Sequence, residues 1–110
     1  MLRYLILLCA FCIPFVSFAD YQVTVNATAY NVQEYSGQTA TGSYAVAYKT
    51  IAVDSSVIPL GSSVYVPGIG WTVANDTGGG INGYAIDIAM DSDASCYEWG
   101  NLSITVTVAE

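Results

Sequence analysis

The chain has 110 residues, no histidine, and two basic side chains against nine acidic ones, for a formal charge of −7. That balance excludes a nucleic-acid partner, which needs a basic footprint, and charge-driven docking on anionic membranes. Without histidine there is no serine or cysteine triad and no usual zinc site.

Residues 1 to 19 read as a leader rather than as part of the fold. Arg3 gives a short positive start, Leu5 to Val16 is an apolar run too short to span a membrane, and Ser17-Phe18-Ala19 is a small-x-small cleavage site. A secretory signal peptide cut before Asp20 is expected, leaving a secreted domain with no membrane attachment. An uncleaved N-terminal anchor is the other reading. Residues 20 to 110 keep Lys49 as sole cation against all nine carboxylates, a formal charge of −8 (one cation, nine anions). A domain of this size buries roughly 60–65% of its unfolded surface. Cys96 is the only cysteine in it, so it has no internal disulfide, and a small buried residue is the plainer reading.

Tyr21 to Ala29 alternates apolar and polar residues at period two, the mark of a half-buried strand. Asn31 to Ser43 is polar and reads as a surface loop. Thr50 to Val53 is a short strand, punctuated by Pro59-Leu-Gly61. Ser63 to Val66 and Trp71 to Asn75 flank Pro67-Gly-Ile-Gly70, a tight connection. Ala85 to Met90 is a buried strand, and Asp91-Ser-Asp93 opens a helix over Ala94 to Trp99 that Gly100 stops. Asp91 and Asp93 read as capping groups rather than calcium ligands, since no twelve-residue loop pattern surrounds them. Leu102 to Val108 is the cleanest alternating strand. The fold class is therefore all-β. Six short strands and one brief helix point to a small closed barrel, which leaves no unpaired edge.

Three aspartates break this pattern: Asp54 in Ile51-Ala-Val-Asp54, Asp76 in Ala74-Asn-Asp76-Thr-Gly-Gly-Gly80, and Asp87 in Ala85-Ile-Asp87-Ile88. Carboxylates inside apolar runs must be hydrogen-bonded, paired or kept protonated, and burial or a like-charge neighbour raises a carboxyl pKa. Asp87, between two isoleucines, has the strongest case as a general acid, with Asp76 expected to raise its pKa further. Asp54 fits equally a cap on the Ser55-Ser56 turn. Asp76 fits a group that holds its glycine loop. The glycines 78 to 80 leave room for a sugar near backbone N–H groups. Tyr30, Tyr35, Tyr44, Tyr84, Trp71 and Trp99 are the aromatic side chains available for stacking; Tyr84 and Trp71, beside the motif, are the better choices.

Asp76-Thr-Gly admits a second reading, the active-site triplet of pepsin-like and retroviral aspartic proteases, whose two carboxylates share a proton. A chain this short would have to dimerise to supply the second one. Polar Asn75 stands where such proteases carry an apolar residue.

Taken in order, Ile51-Ala-Val-Asp54, Val57-Ile-Pro-Leu-Gly61, Val64-Tyr-Val-Pro-Gly68, Ala74-Asn-Asp76-Thr-Gly-Gly79, Ile81-Asn-Gly83 and Ala85-Ile-Asp87 resemble the three-aspartate (3D) domain family. That family is similar to the catalytic barrel of membrane-bound lytic transglycosylase A. The resemblance covers about Thr28 to Val108 and implies a six-stranded double-psi β-barrel that cleaves peptidoglycan between MurNAc and GlcNAc with a 1,6-anhydro product. It implies that Asp87 is the catalytic acid/base and that Asp54 and Asp76 line the same pocket, and Thr41-Gly42 resembles the family's Thr/Ser-Gly segment near the start of the barrel. With Thr77, Gly78, Gly79, Tyr84 and Trp71 beside the motif, these are the expected catalytic (Asp87, Asp76, Asp54) and substrate-binding residues. No metal or cofactor is implied, the partner is the peptidoglycan glycan strand, and a monomer in the periplasm or cell wall is expected. The chain departs from the usual family pattern at Asn75, Asn82 and Leu102. A non-catalytic glycan-binding barrel, as in expansin-like relatives of the architecture, is the alternative function.

Overall fold

The computed structural model describes residues 20–35 and 37–109, so the expected leader lies outside the described residues. Six strands are present: β1 (Tyr21–Asn31), β2 (Thr50–Val53), β3 (Ser63–Val66), β4 (Gly70–Asp76), β5 (Ala85–Met90) and β6 (Leu102–Ala109). They close into a barrel in the order β1-β5-β2-β4-β3-β6. Two pairs, β1 with β5 and β2 with β4, run parallel, and the other four contacts are antiparallel. This mixed order fits the double-psi expectation.

Closure depends on β1. Its first part, Tyr21 to Ala27, pairs with β6, while Asn26 to Asn31 pairs with β5. One long strand thereby joins two sheets' worth of partners, and no lateral edge stays open. The β3–β4 hairpin turns through Gly68 (φ 85°) and Gly70 (φ 110°), a left-handed conformation that a residue with a Cβ resists.

The period-two alternation places Val25, Ala27, Ile51, Val53, Val64, Val66, Ile86, Ile88, Val106 and Val108 in the barrel core, all at most 2% exposed. Each of the valine and isoleucine side chains among them stabilises the fold by about 1.5–3 kcal/mol through burial. The same alternation turns Asp87, between Ile86 and Ile88, to the opposite face of β5.

The helix α1 (Asp93–Trp99) starts one residue earlier than the sequence pattern indicates, because Ser92 is its N-cap and accepts from the Ser95 N–H. It ends at Gly100 (φ 74°) and packs on β1 and β5. Trp99 fixes it there by donating from Nε1 to the Ala27 carbonyl at 3.2 Å. Asp91 accepts from the Tyr48 hydroxyl and the Ser95 hydroxyl, and Asp93 accepts from Asn31 Nδ2, which accounts for both carboxylates structurally. Val32–Glu34 forms a short 3-10 turn within the segment read as a loop; Asn31 caps it by accepting from the Gln33 N–H.

Candidate active site

Register brings the site together. On one face of the sheet, Thr28 of β1 pairs with Asp87 of β5, Asp87 pairs with Ala52 of β2, and Ala52 pairs with Asp76 of β4. The last pairing requires a bulge. Thr50 and Ile51 stand opposite Val73 and Ala74, but the next residue, Ala52, stands opposite Asp76, so Asn75 is passed over. A one-residue slip exchanges the two faces of a strand. Here it puts a carboxylate beside Ala52 where regular pairing would put Asn75. Two strand spacings separate the Asp76 and Asp87 backbones, about 10 Å, and the alanine between them is too small to fill the gap.

That gap is part of a cavity of about 340 Å³ lined by Tyr30, Asn31, Glu34, Tyr35, Ala52, Asp76, Thr77, Gly78, Ile81 and Asp87. The size suits a small ligand or a few sugar units. Tyr30 and the 3-10 turn form one wall, and the segment after β4 forms the other. Gly78 packs closely on Ile81: a Cβ there would stand 3.2 Å from Ile81 Cγ1, so the isoleucine side chain would have to shift by a few tenths of an ångström to admit one.

The three aspartates have different environments. Asp87 accepts from the Thr28 hydroxyl at 3.0 Å. Burial pushes its carboxyl above the ordinary aspartate value, and the Thr28 hydrogen bond opposes that rise. The further push expected from Asp76 is not among the causes. Asp76 is held away by its own bonds: Oδ1 accepts from the Thr77 N–H at 2.8 Å and the Ala40 N–H at 3.0 Å. Asp76 is 8% exposed and fastens the end of β4 to the loop containing Thr39, Thr41 and Ser43. The hydroxyls of those three residues bond one another, and Ser43 Oγ also accepts from Asn75 Nδ2 at 2.9 Å.

Asp54 lies outside the cavity lining. Its Oδ1 accepts from the Ser56 hydroxyl (2.7 Å) and N–H (2.9 Å), and its Oδ2 from the Gly83 N–H (2.7 Å). It caps the turn after β2 and ties that turn to the loop before β5. The Ser56 hydroxyl first, then the two N–H groups, hold its carboxyl below the ordinary value. A depressed folded-state pKa adds stability above the unfolded value of 3.8 and loses it as pH falls through the folded value. Asp54→Ala is therefore expected to lower the melting temperature at pH 7 and to cost progressively less as pH drops below 3.8. Thermal melts across that range test this; an equal penalty at every pH would mean that the carboxylate charge does not contribute.

Of the other residues singled out from sequence, Thr77 and Gly78 line the cavity, whereas Thr41, Gly42, Gly79, Tyr84 and Trp71 do not. Thr41 is docked on β4 by its N–H to the Asn75 carbonyl at 3.1 Å. Tyr84 is 66% exposed ahead of β5. Trp71 stands on the barrel's outer wall, edge-on to Tyr65 with ring centroids 5.5 Å apart.

Tyr30, Glu34 and Thr28 belong to the site although no motif marked them. The period-two pattern of β1 is the available signal for two of them, since it sets Thr28 and Tyr30 on one face. Tyr30 carries a buried hydroxyl without a hydrogen-bond partner among the described residues, and its ring meets Tyr35 edge-on at 6.1 Å. Burial, then the carboxylates of Asp76 and Asp87, push its phenol up to about 12, so it remains a donor at all physiological pH. Cys96 is equally inert: burial, then Asp93, Asp87, Glu34 and Asp91, raise its thiol pKa. Among the described residues no cluster of three His, Cys, Asp or Glu side chains is placed to hold a metal ion.

The barrel thus presents two carboxyls, buried Asp76 and half-buried Asp87, to one open cleft on a small all-β scaffold. The 3D domain model matches residues 49–110, which takes in all three aspartates, and the chain belongs to the 3D domain family. It is 45% identical over 95 residues to the cell wall-binding protein YocH of Bacillus subtilis, covering 82% of this chain and 33% of YocH. It is also 43% identical over 91 residues to YabE of the same organism, covering 78% of this chain and 22% of YabE. Among solved structures it is similar to Escherichia coli MltA, a lytic transglycosylase, with a TM-score of 0.54 and 25% identity over 66% of this chain and 27% of MltA. MltA with bound chitohexaose gives a TM-score of 0.53 over the same shares. The chain thus spans a third or less of the length of these relatives.

Proposed function

We propose that the protein is a peptidoglycan lytic transglycosylase acting outside the cytoplasm on cell-wall glycan strands. The observation that carries this reading is Asp87: a carboxyl with its pKa raised by burial, facing a cavity, with the nearest other carboxylate of its row, Asp76, engaged by backbone N–H groups. Such a site supplies one exchangeable proton, and Asp76 is not free to activate a water; Glu34, in the 3-10 turn, is the remaining carboxylate of the lining. Hydrolysis at a glycosidic bond ordinarily uses two. A transglycosylase needs one. Protonated Asp87 gives its proton to the glycosidic oxygen as the C1–O bond breaks and the electron pair goes to that oxygen. The Asp87 carboxylate then takes the proton of the sugar's own 6-hydroxyl, whose oxygen bonds to C1 and closes the 1,6-anhydro ring.

The rest of the cavity suits a neutral sugar. Its titratable lining is Glu34, Asp76, Asp87 and two tyrosines, with no cation to attract an anionic ligand. Tyr35, packed edge-on with Tyr30, offers an aromatic ring at the cavity wall. Likeness to MltA and to a cell wall-binding protein supports the substrate class. A single copy contains every residue the mechanism uses, and none of the steps calls for a metal or cofactor.

Digestion of purified sacculi is expected to release 1,6-anhydromuropeptides, identified by mass spectrometry. Products with reducing MurNAc ends instead would mean hydrolysis. The name of YocH favours a second reading, a barrel that binds wall glycan without cutting it. Sacculus binding without any soluble product would establish that one and exclude the enzyme.

A further inference from the structure

Asp87 has one hydrogen-bond donor among the described residues, and it lies on the neighbouring strand. Thr28 is the register partner of Asp87, and its hydroxyl stands 3.0 Å from Asp87 Oδ1 and 3.4 Å from the Ile86 carbonyl. Asp87 Oδ2 has no hydrogen bond within the described residues. A threonine hydroxyl has a single proton to donate. Against a carboxylate it goes to Oδ1, because a charge-assisted bond is about twice as strong as a neutral one. Against a neutral carboxyl, the Ile86 carbonyl competes for it.

We propose that Thr28 is a positioning residue for the acid/base step: its hydroxyl occupies Asp87 Oδ1 and confines the exchangeable proton to Oδ2, the oxygen without a hydrogen bond among the described residues. The purpose, though not the geometry, rests on the transglycosylase reading. That reaction asks one carboxyl to give a proton and then take one back at nearly the same place. Fixing Oδ2 as the working oxygen makes both transfers use one atom. The hydroxyl also follows the charge, turning fully to Oδ1 as the carboxylate forms, with no movement of the backbone. The only reorganisation this asks for, as charge develops on the carboxylate, is rotation of one hydroxyl already within reach of it.

The other titratable groups around Asp87 are Tyr30 on β1, Glu34 and Tyr35 in the turn after it, Asp76 on β4 and Cys96 on α1; β2 contributes only Ala52. None of them donates to Asp87. Changing Thr28 alone therefore isolates the hydroxyl's effect.

The test compares Thr28→Val, which keeps the branched shape and strand preference but loses the hydroxyl, with Thr28→Ser, which keeps the hydroxyl. Carbon-detected NMR follows the Asp87 side-chain carboxyl through a pH titration, a measurement that requires no turnover. Thr28→Val is expected to move the Asp87 midpoint to higher pH, and Thr28→Ser to return it to the wild-type position. In turnover on sacculi, Thr28→Val is expected to fall about tenfold or more in kcat with little change in KM, and its pH profile to shift with the titration. Thr28→Ala serves in place of valine should the latter crowd the cavity. An Asp87 midpoint identical in wild type and the hydroxyl-free variants overturns the proposal. Failure of the wild-type protein to release anhydro products overturns the transglycosylase reading instead, and leaves the titration result standing.

Discussion

Asp87→Asn is expected to abolish release of anhydro products while making the barrel more stable at neutral pH. The amide matches the carboxyl in shape and still accepts from Thr28 through its oxygen, so the cavity is kept. It cannot give or take a proton, and loss of a general acid/base costs about 10²–10⁴ in rate. The stability gain follows from the sign of the Asp87 shift. Burial raises the folded-state pKa above 3.8, so the folded protein holds more protons than the unfolded chain between those two values. Stability is then full below the unfolded pKa and declines as pH rises through the folded one. Asparagine carries no charge to desolvate and escapes that decline. Melting curves from pH 3 to pH 8 check it: the variant should melt higher at pH 8, and the gap should close toward pH 3. A variant that keeps wild-type turnover would remove Asp87 from the mechanism.

Asp76→Ala is expected to be the most destabilising change at the site. Two backbone donors, the N–H groups of Ala40 and Thr77, lose their acceptor at a part-buried position against the buried Asp76 side chain. Leaving a buried donor unsatisfied costs about 1–3 kcal/mol, so the pair loses about 2–4 kcal/mol once water reaches part of the opened loop. For a domain of this size that is a fall of about 10–20 °C in melting temperature. Asp76→Asn retains an acceptor at Oδ1 and is expected to lose about 1 kcal/mol, the charge assistance alone. Because burial rather than Asp76 raises the Asp87 carboxyl, Asp76→Asn is expected to leave the acid limb of the pH–rate profile in place. A clear shift of that limb would show coupling between the two carboxylates.

Much of this arrangement was legible in the chain. Period-two alternation located β1 and β6, which have one face toward the core and one outside it, and short apolar runs bounded by turn residues located the other four, all to within a residue or two. Ser92 and Gly100 mark the helix by local chemistry that acts over a few residues. The capping role of Asp54 was legible for the same reason, since Ser56 is two residues away. What escaped reading depends on pairing between strands. Neither the bulge that presents Asp76 nor the position of Ala52 between two carboxylates has a local signal. Trp71 and Tyr84 are near the aspartates in sequence, but strand alternation and an exposed loop turn them elsewhere. Glu34 and Tyr35 come to the cavity only because Asn31 turns the chain back over β5 in a 3-10 turn, within a stretch whose composition reads simply as loop.

On β5, Ile86 and Ile88 face the core while Asp87 faces the cavity, and the same division holds on β2 for Ile51, Ala52 and Val53. Scaffold and chemistry therefore occupy alternate positions on the same strands and share almost no side chains. Such a barrel can lose its acid, or gain a different one, at little risk to its fold. On the function proposed above, a lineage built on it is free to drift between cutting the wall and merely holding it through changes at two or three cavity-lining positions.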